Sequence, residues 1–223
     1  MIAVVVPAHD EEALIGRCLD ALLVAARHPD LAGEAVEILV VLDACRDRTA
    51  EIARERGVAC IAVQARNVGA ARAAGAQAML AAGARWLASS DADSAVDSDW
   101  LARQLATEAD AVCGIVVVDD WSGFSPHVRA SYEAAYVDAE HHRHVHGASM
   151  GVSAAAYVGA GGFPALRCSE DVALVQRLSE LGATVRWTNQ VRVRTSSRRL
   201  ARAPGGFGHL LGKLQRQADP SSA

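Results

Sequence analysis

Short runs rich in Val and Ile alternate with longer Ala-rich stretches of helical spacing through the first half of the chain. That alternation predicts successive strand-helix-strand units and a parallel sheet. Strands are expected at Ala3 to Val6, Glu37 to Leu42, Ala59 to Val63, Trp86 to Ser90 and Ala111 to Val118. The helices between them are Glu11 to Ala26, Asp47 to Arg56, Val68 to Ala82 and Asp99 to Leu105, the first carrying Leu14, Cys18, Leu22 and Ala25 on one face. The second half reads as a helical run near Phe124 to Glu140, a histidine-rich segment, an apolar stretch from Met150 to Tyr157 and a helix from Glu170 to Leu181. Two short strands are expected at Thr184 to Trp187 and Val191 to Val193, then a Gly/Pro-marked loop and a short terminal helix around Leu210, Leu211 and Leu214.

The 223 residues suit one domain with a first half to about residue 120, a second half to about 200 and a tail over 201–223. Hydrophobic residues make up 51% but aromatics only 4%, so Ala, Val and Leu must build a core of helices lying on a sheet. A formal charge of −4 offers no global basic field for nucleic acid, which is excluded as an expected partner. Five cysteines at scattered spacings indicate neither a disulfide framework nor a zinc knuckle, and point to a cytoplasmic setting. The chain opens directly on Ile2-Ala3-Val4-Val5-Val6 without a basic leader, and no apolar run approaches the roughly 20 residues that span a bilayer. Peripheral contact with a membrane, on a lipid-linked acceptor, stays open.

Ligands of open α/β sheets collect at the carboxyl ends of the strands, and three predicted strand ends carry acids. They are Pro7-Ala8-His9-Asp10-Glu11-Glu12, Asp43 through Thr49, and Asp91-Ala92-Asp93. The last pair, held apart by one small residue, offers hard oxygen ligands for Mn2+ or Mg2+ against a diphosphate. The other acids suit hydrogen bonds from a base edge and ribose hydroxyls. For any one of them, capping a turn or a helix is an equal or better explanation. Arg72, in the small-residue run Asn67 to Gly75, either meets the diphosphate, braces an acid or faces solvent.

In this order the motifs resemble those of the family 2 glycosyltransferases of GT-A fold. The family's Pro-x-Asn-Glu opening is similar to Pro7-Ala8-His9-Asp10-Glu11, and its Asp-Asp-Gly-Ser-x-Asp-x-Thr to Leu42 through Thr49. Its Asn-x-Gly…Ala-Arg-Asn-x-Gly resembles Asn67 to Gly75, and its Asp-x-Asp falls on Asp91 to Asp93. Its later Gly-x-Asn, Gly-Gly-Phe and Glu-Asp are similar to Gly147-Ala148-Ser149, Gly161-Gly162-Phe163 and Glu170-Asp171. Asp10, Leu42 and Ser149 depart from the family's Asn, Asp and Asn.

The resemblance implies a GT-A-like, Rossmann-like α/β fold with a mostly parallel sheet flanked by helices and a smaller acceptor-side region. It implies an inverting, metal-dependent hexosyltransferase that moves sugar from a UDP- or GDP-linked donor to a hydroxyl acceptor. The implied donor-nucleotide residues are Pro7, His9, Glu11, Asp43, Arg72 and Asp91; Asp93 with Asp91 would hold the cation, and Asp171 would be the base. His146, Ser149, Glu170, Arg198 and Arg199 are acceptor-side or loop candidates. Ser169-Glu170-Asp171 also reads as a helix cap and first turn, and His141 to His146 as a solvated or acceptor-lining loop rather than a metal site. Rival readings are a sugar-phosphate nucleotidyltransferase, which wants a Gly-rich basic loop where Pro7 to Glu12 stands, and a binding module without turnover.

Overall fold

A computed structural model describes residues 1–196. The expected terminal helix, the loop candidates Arg198 and Arg199 and the tail lie outside the described residues. Eight strands form one sheet: β1 (Ile2–Ala8), β2 (Val36–Asp43), β3 (Ala59–Val63), β4 (Trp86–Ser89), β5 (Ser94–Val96), β6 (Ala111–Val118), β7 (Met150–Ser153) and β8 (Val185–Thr195). The helices are α1 (Ile15–Ala25), α2 (Thr49–Glu55), α3 (Val68–Ala81), α4 (Trp100–Ala106), α5 (Pro126–Ala135), α6 (Ala154–Gly159) and α7 (Glu170–Glu180). The strand order is β3-β2-β1-β4-β7-β6-β8-β5. Only β7 and β5 run against the others, so the sheet is mixed but mostly parallel.

Alternation along β1 sorts the core onto two faces. Ile2, Val4 and Val6 join Ile15, Leu19, Leu22, Trp100 and Leu101 of α1 and α4, whereas Ala3 and Val5 face the layer of α3 and α7. The Ala-rich composition has its reason in α3, which lies so close to the sheet that a Cβ on Gly75 would stand 2.4 Å from Val5 Cγ1 and 2.7 Å from Val41 Cγ2. Gly75→Val should therefore lower stability by about 1–3 kcal/mol, the usual range for overpacking. Unfolding in urea checks this, and an unchanged midpoint would contradict the close approach.

The structure departs from the sequence reading at four elements. Helix α1 begins at Ile15 rather than Glu11, because residues 10–12 are tied to the loop after β2 instead. The Glu11 N–H donates to Thr49 Oγ1 (2.7 Å), the Glu12 N–H to Asp47 Oδ2 (2.8 Å), and the Arg46 N–H to Asp10 Oδ1 (2.6 Å). Helix α5 stops at Ala135, where Tyr136 turns extended. The two short strands expected near the end are the two arms of β8: each pairs with β6, and the register jumps between Cys113↔Trp187 and Ile115↔Arg192. Strand β5 was not expected, being three residues whose partner, Thr195, lies far along the chain.

Candidate functional site

The site is built at the carboxyl ends of β1, β2 and β4, with the first turn of α7 and the segment before β7 folded over them. Arg72 is its hub. It is 3% exposed, and donates from Nε to Ser89 Oγ (3.1 Å), from Nη1 to Glu170 and from Nη2 to Asp91. Its guanidinium lies 5.9 Å from the centre of the Phe163 ring and against Gly147, where a Cβ would come within 2.5 Å of it. Gly147 is therefore the space that the guanidinium occupies.

Asp91 and Asp93 follow β4 directly. Asp91 carries the Arg72 contact and keeps 40% of its side-chain exposure. Its carboxyl is pushed above the usual range first by desolvation, then by the negative charges of Asp93 and Asp171, against the pull of Arg72. With that much solvent contact the carboxyl sits in a crowded rim rather than a sealed interior. Asp93 accepts from the hydroxyls of Ser94 (3.1 Å) and Ser196 (3.3 Å), which ties it to the end of β8. Below them the Cys18 thiol donates to the Asp91 carbonyl (3.3 Å) and is raised by burial and by the charges of Asp93, Asp91 and Glu11. These acids thus share one neighbourhood with a single buried arginine.

Asp171 opens α7 next to Glu170. The Gly147 N–H donates to its Oδ2 (2.6 Å) and the Val172 N–H to its Oδ1 (2.8 Å). One N–H on each oxygen holds the carboxylate while leaving lone pairs for a further proton donor. Ser169, expected as the cap, sits at φ +62° and makes no capping bond from its side chain.

Four candidates have partners inside the fold. Arg72 is buried and braces acids, one of the alternatives its sequence position offers. Asp43 holds its own fold: Oδ1 accepts the N–H groups of Ala65 (2.8 Å) and Arg66 (2.8 Å), and Oδ2 that of Asn67 (2.8 Å), which orders the approach to α3. Ser149 is fully buried beside Trp100, whose Nε1 lies 3.3 Å from its Oγ, so it does not face an acceptor. Glu170 is buried in the Arg72 pair and is no acceptor-side group. Asn67 and Gly69 prove to be scaffolding as well: Asn67 caps α3 and donates to the Ala165 carbonyl, and Gly69 makes room for the chain at Pro164 to Leu166.

The remaining candidates divide by place. Pro7 is half-buried in β1, His9 is exposed and donates from Nδ1 to the Asp43 carbonyl (2.6 Å), and Glu11 is buried at the same rim. An open groove of about 470 Å³ lies beside it, lined by Asp10, Glu11, Glu12, Ala13, Leu14, Arg46 and Asp47. His146 lies near Asp171, whose charge it feels. Arg198 and Arg199 lie outside the described residues. Gly147 was marked in the sequence as the start of the Gly-x-Asn-like motif, whereas Tyr136 was not singled out; a Tyr carries no local mark of what it meets.

A cation can be held in two ways here. Asp10, Cys45 and Asp47 present ligand atoms within 4.8 Å of one another, the one such three-residue group found among the described residues. Those atoms already lace two loops, since Asp47 accepts from Glu12 and Thr49, and Cys45 donates to the Ala8 carbonyl (3.2 Å). Asp91 and Asp93 offer only carboxylates, at a rim where, among the described residues, acids outnumber cations. Two hard oxygen donors fit Mn2+ or Mg2+ that keeps positions for water and phosphate oxygens.

An eight-stranded, mostly parallel α/β sheet with its acids gathered at the strand ends is the GT-A glycosyltransferase architecture. The sequence profile of "Glycosyl transferase family 2" matches residues 3–153, and the chain belongs to that family. Among solved structures it is similar in fold to TarS 1-349 of S. aureus in complex with UDP-GlcNAc, with a TM-score of 0.67 at 15% identity over 99% of this chain and 66% of that one. The mannosyltransferase PcManGT from Pyrobaculum calidifontis, in complex with GDP-Man and Mn2+, gives a TM-score of 0.64 at 17% identity over 96% of this chain and 69% of that one. Against the longer TarS chain the TM-score is 0.63 at 16% identity, and this chain spans 37% of its length. No curated protein matches the chain in sequence.

Proposed function

We propose that this chain is a metal-dependent, inverting hexosyltransferase that moves a sugar from a UDP- or GDP-linked donor to a hydroxyl acceptor. The gathering of Asp91, Asp93, Glu170 and Asp171 around Arg72 at the strand ends carries this reading. Breaking the sugar-phosphate bond builds negative charge on the leaving diphosphate, and a cation on Asp93 and Asp91 would neutralise it. His9, Glu11 and Pro7 line the rim where the nucleoside would lie. Asp171 takes the acceptor proton as the hydroxyl attacks from the face opposite the leaving group. The fold relatives support the donor class by what they hold, one UDP-GlcNAc and the other GDP-Man with Mn2+. A reducing cytoplasm suits the five unpaired cysteines. Among the described residues no helix is long and apolar enough to cross a membrane, so a lipid-linked acceptor would be met at a membrane surface.

Thermal shift with UDP, GDP, UDP-GlcNAc and GDP-mannose, with and without manganese, tests the donor and the metal together. A nucleotide at 100 times its Kd stabilises by about 2.7 kcal/mol, several degrees in Tm. The shift should need manganese and should vanish in Asp93→Ala. An equal response in the variant would place the cation elsewhere, with the Asp10-Cys45-Asp47 group next in line. No response to any of the four nucleotides would remove the donor class proposed, and binding without turnover would leave a module.

A further inference from the structure

Beside Asp171 stand two side chains that the proposed reaction does not use. Tyr136, just past α5, accepts the Val116 N–H at Oη (3.0 Å), and the same oxygen lies 3.1 Å from His146 Nε2. The contact fixes the rotation of the ring, with donor and acceptor set by the tautomer that His146 carries. The next peptide N–H, that of Gly147, is the one donated to Asp171 Oδ2 at 2.6 Å. The His146 carbonyl accepts the Ser149 N–H (2.9 Å), which closes the turn. Ring and backbone of His146 are thus held from opposite sides, by Tyr136 on one and by Asp171 and Ser149 on the other.

The groups that face this ring are known. Asp171 reaches it from α7, His142 and His144 from its own segment, while Tyr136 in turn feels Asp138 and Arg192. The His144 ring stacks on Tyr136 at 4.2 Å between centres and 5° between planes, which fixes the tyrosine in its turn. Burial pushes His146 down to about 4, helped by His144 and His142 and opposed by Asp171. At neutral pH the ring therefore brings no positive charge to the carboxylate.

We propose that Tyr136 and His146 are positioning residues for Asp171: the tyrosine hydroxyl fixes the rotation of His146, and the His146–Gly147 peptide anchored in this way holds the carboxylate. The inference rests on the reading of Asp171 as the base. In that step the acceptor proton goes to Asp171, the bond from acceptor oxygen to anomeric carbon forms, and the bond to the diphosphate breaks with its electron pair. No proton passes to His146. An imidazolium there would instead weaken the base.

The test titrates the histidine ring signals of the full chain by NMR, with His146→Gln assigning the resonance. Tyr136→Phe removes the partner of Nε2 and should move the His146 midpoint, and Asp171→Asn removes a facing negative charge and should lower it. Release of UDP from UDP-GlcNAc, or of GDP from GDP-mannose, with manganese gives the kinetic arm. Tyr136→Phe and His146→Gln should each lower kcat several-fold with the donor KM unchanged. A His146 midpoint indifferent to both substitutions, or a Tyr136→Phe kcat equal to that of the wild type, overturns the inference. If Asp171→Asn still turns over donor, the base reading itself falls; if that variant is inactive while His146 is unaffected, only the positioning role falls.

Discussion

Asp171→Asn is expected to lower kcat by about 10²–10⁴-fold, the range for loss of a positioned general base, while donor binding in the presence of manganese changes by no more than a few-fold. The amide keeps the shape of the carboxylate and its carbonyl oxygen still accepts the Gly147 N–H, so the turn from His146 to Ser149 need not move. What it loses is the capacity to take the acceptor proton. Single-turnover transfer and thermal shift on the same variant separate the two effects. Wild-type turnover would take Asp171 out of the chemistry, and loss of donor binding would make it a scaffold for the site instead.

Arg72→Met is expected to be the most destabilising single change in the site. Arg72 and Glu170 are each no more than 4% exposed at the side chain, and removing the cation leaves Glu170 buried without a partner and Asp91 without its brace. Breaking a buried pair in this way costs about 3–5 kcal/mol. For a chain of this size that lowers Tm by on the order of 10 °C. Arg72→Met combined with Glu170→Met should recover most of the loss, since two apolar residues of similar volume remove the unpaired charge. A single variant as stable as the wild type, or a double variant that recovers nothing, would show that the pair does not hold α7 against α3.

The first five expected strands and the helices of the first half stand close to where the periodicity puts them, because those segments bury faces that each segment's own sequence displays. Strand β3 matches residue for residue, and β6 does too. Helix α1 is shorter at its start because Glu11 and Glu12 are drawn to Thr49 and Asp47, more than thirty positions away. Strand β5 was not readable in three residues, since its existence depends on Thr195 lying alongside. The histidine segment looked like a solvated or acceptor-lining loop, yet His142 is buried and His146 is fixed by a tyrosine.

The candidate site divides in the same manner. The positions of Asp91, Asp93 and Asp171 were legible because strand ends and helix starts announce themselves by local pattern, and the order of motifs identifies the family without any contact being known. The partners that Arg72, Asp43, Ser149 and Glu170 meet were not. A sequence displays which groups carry charge and which element they ride on, since both are local properties. Whether a charge meets solvent, a ligand or a buried partner depends on chain segments far apart: Glu170 lies 98 positions from Arg72, and the Gly147 N–H 24 from Asp171. Those pairings exist only once the sheet has brought β4, β7 and the ends of α3 and α7 together, and there burial makes an unpaired charge too costly to leave alone.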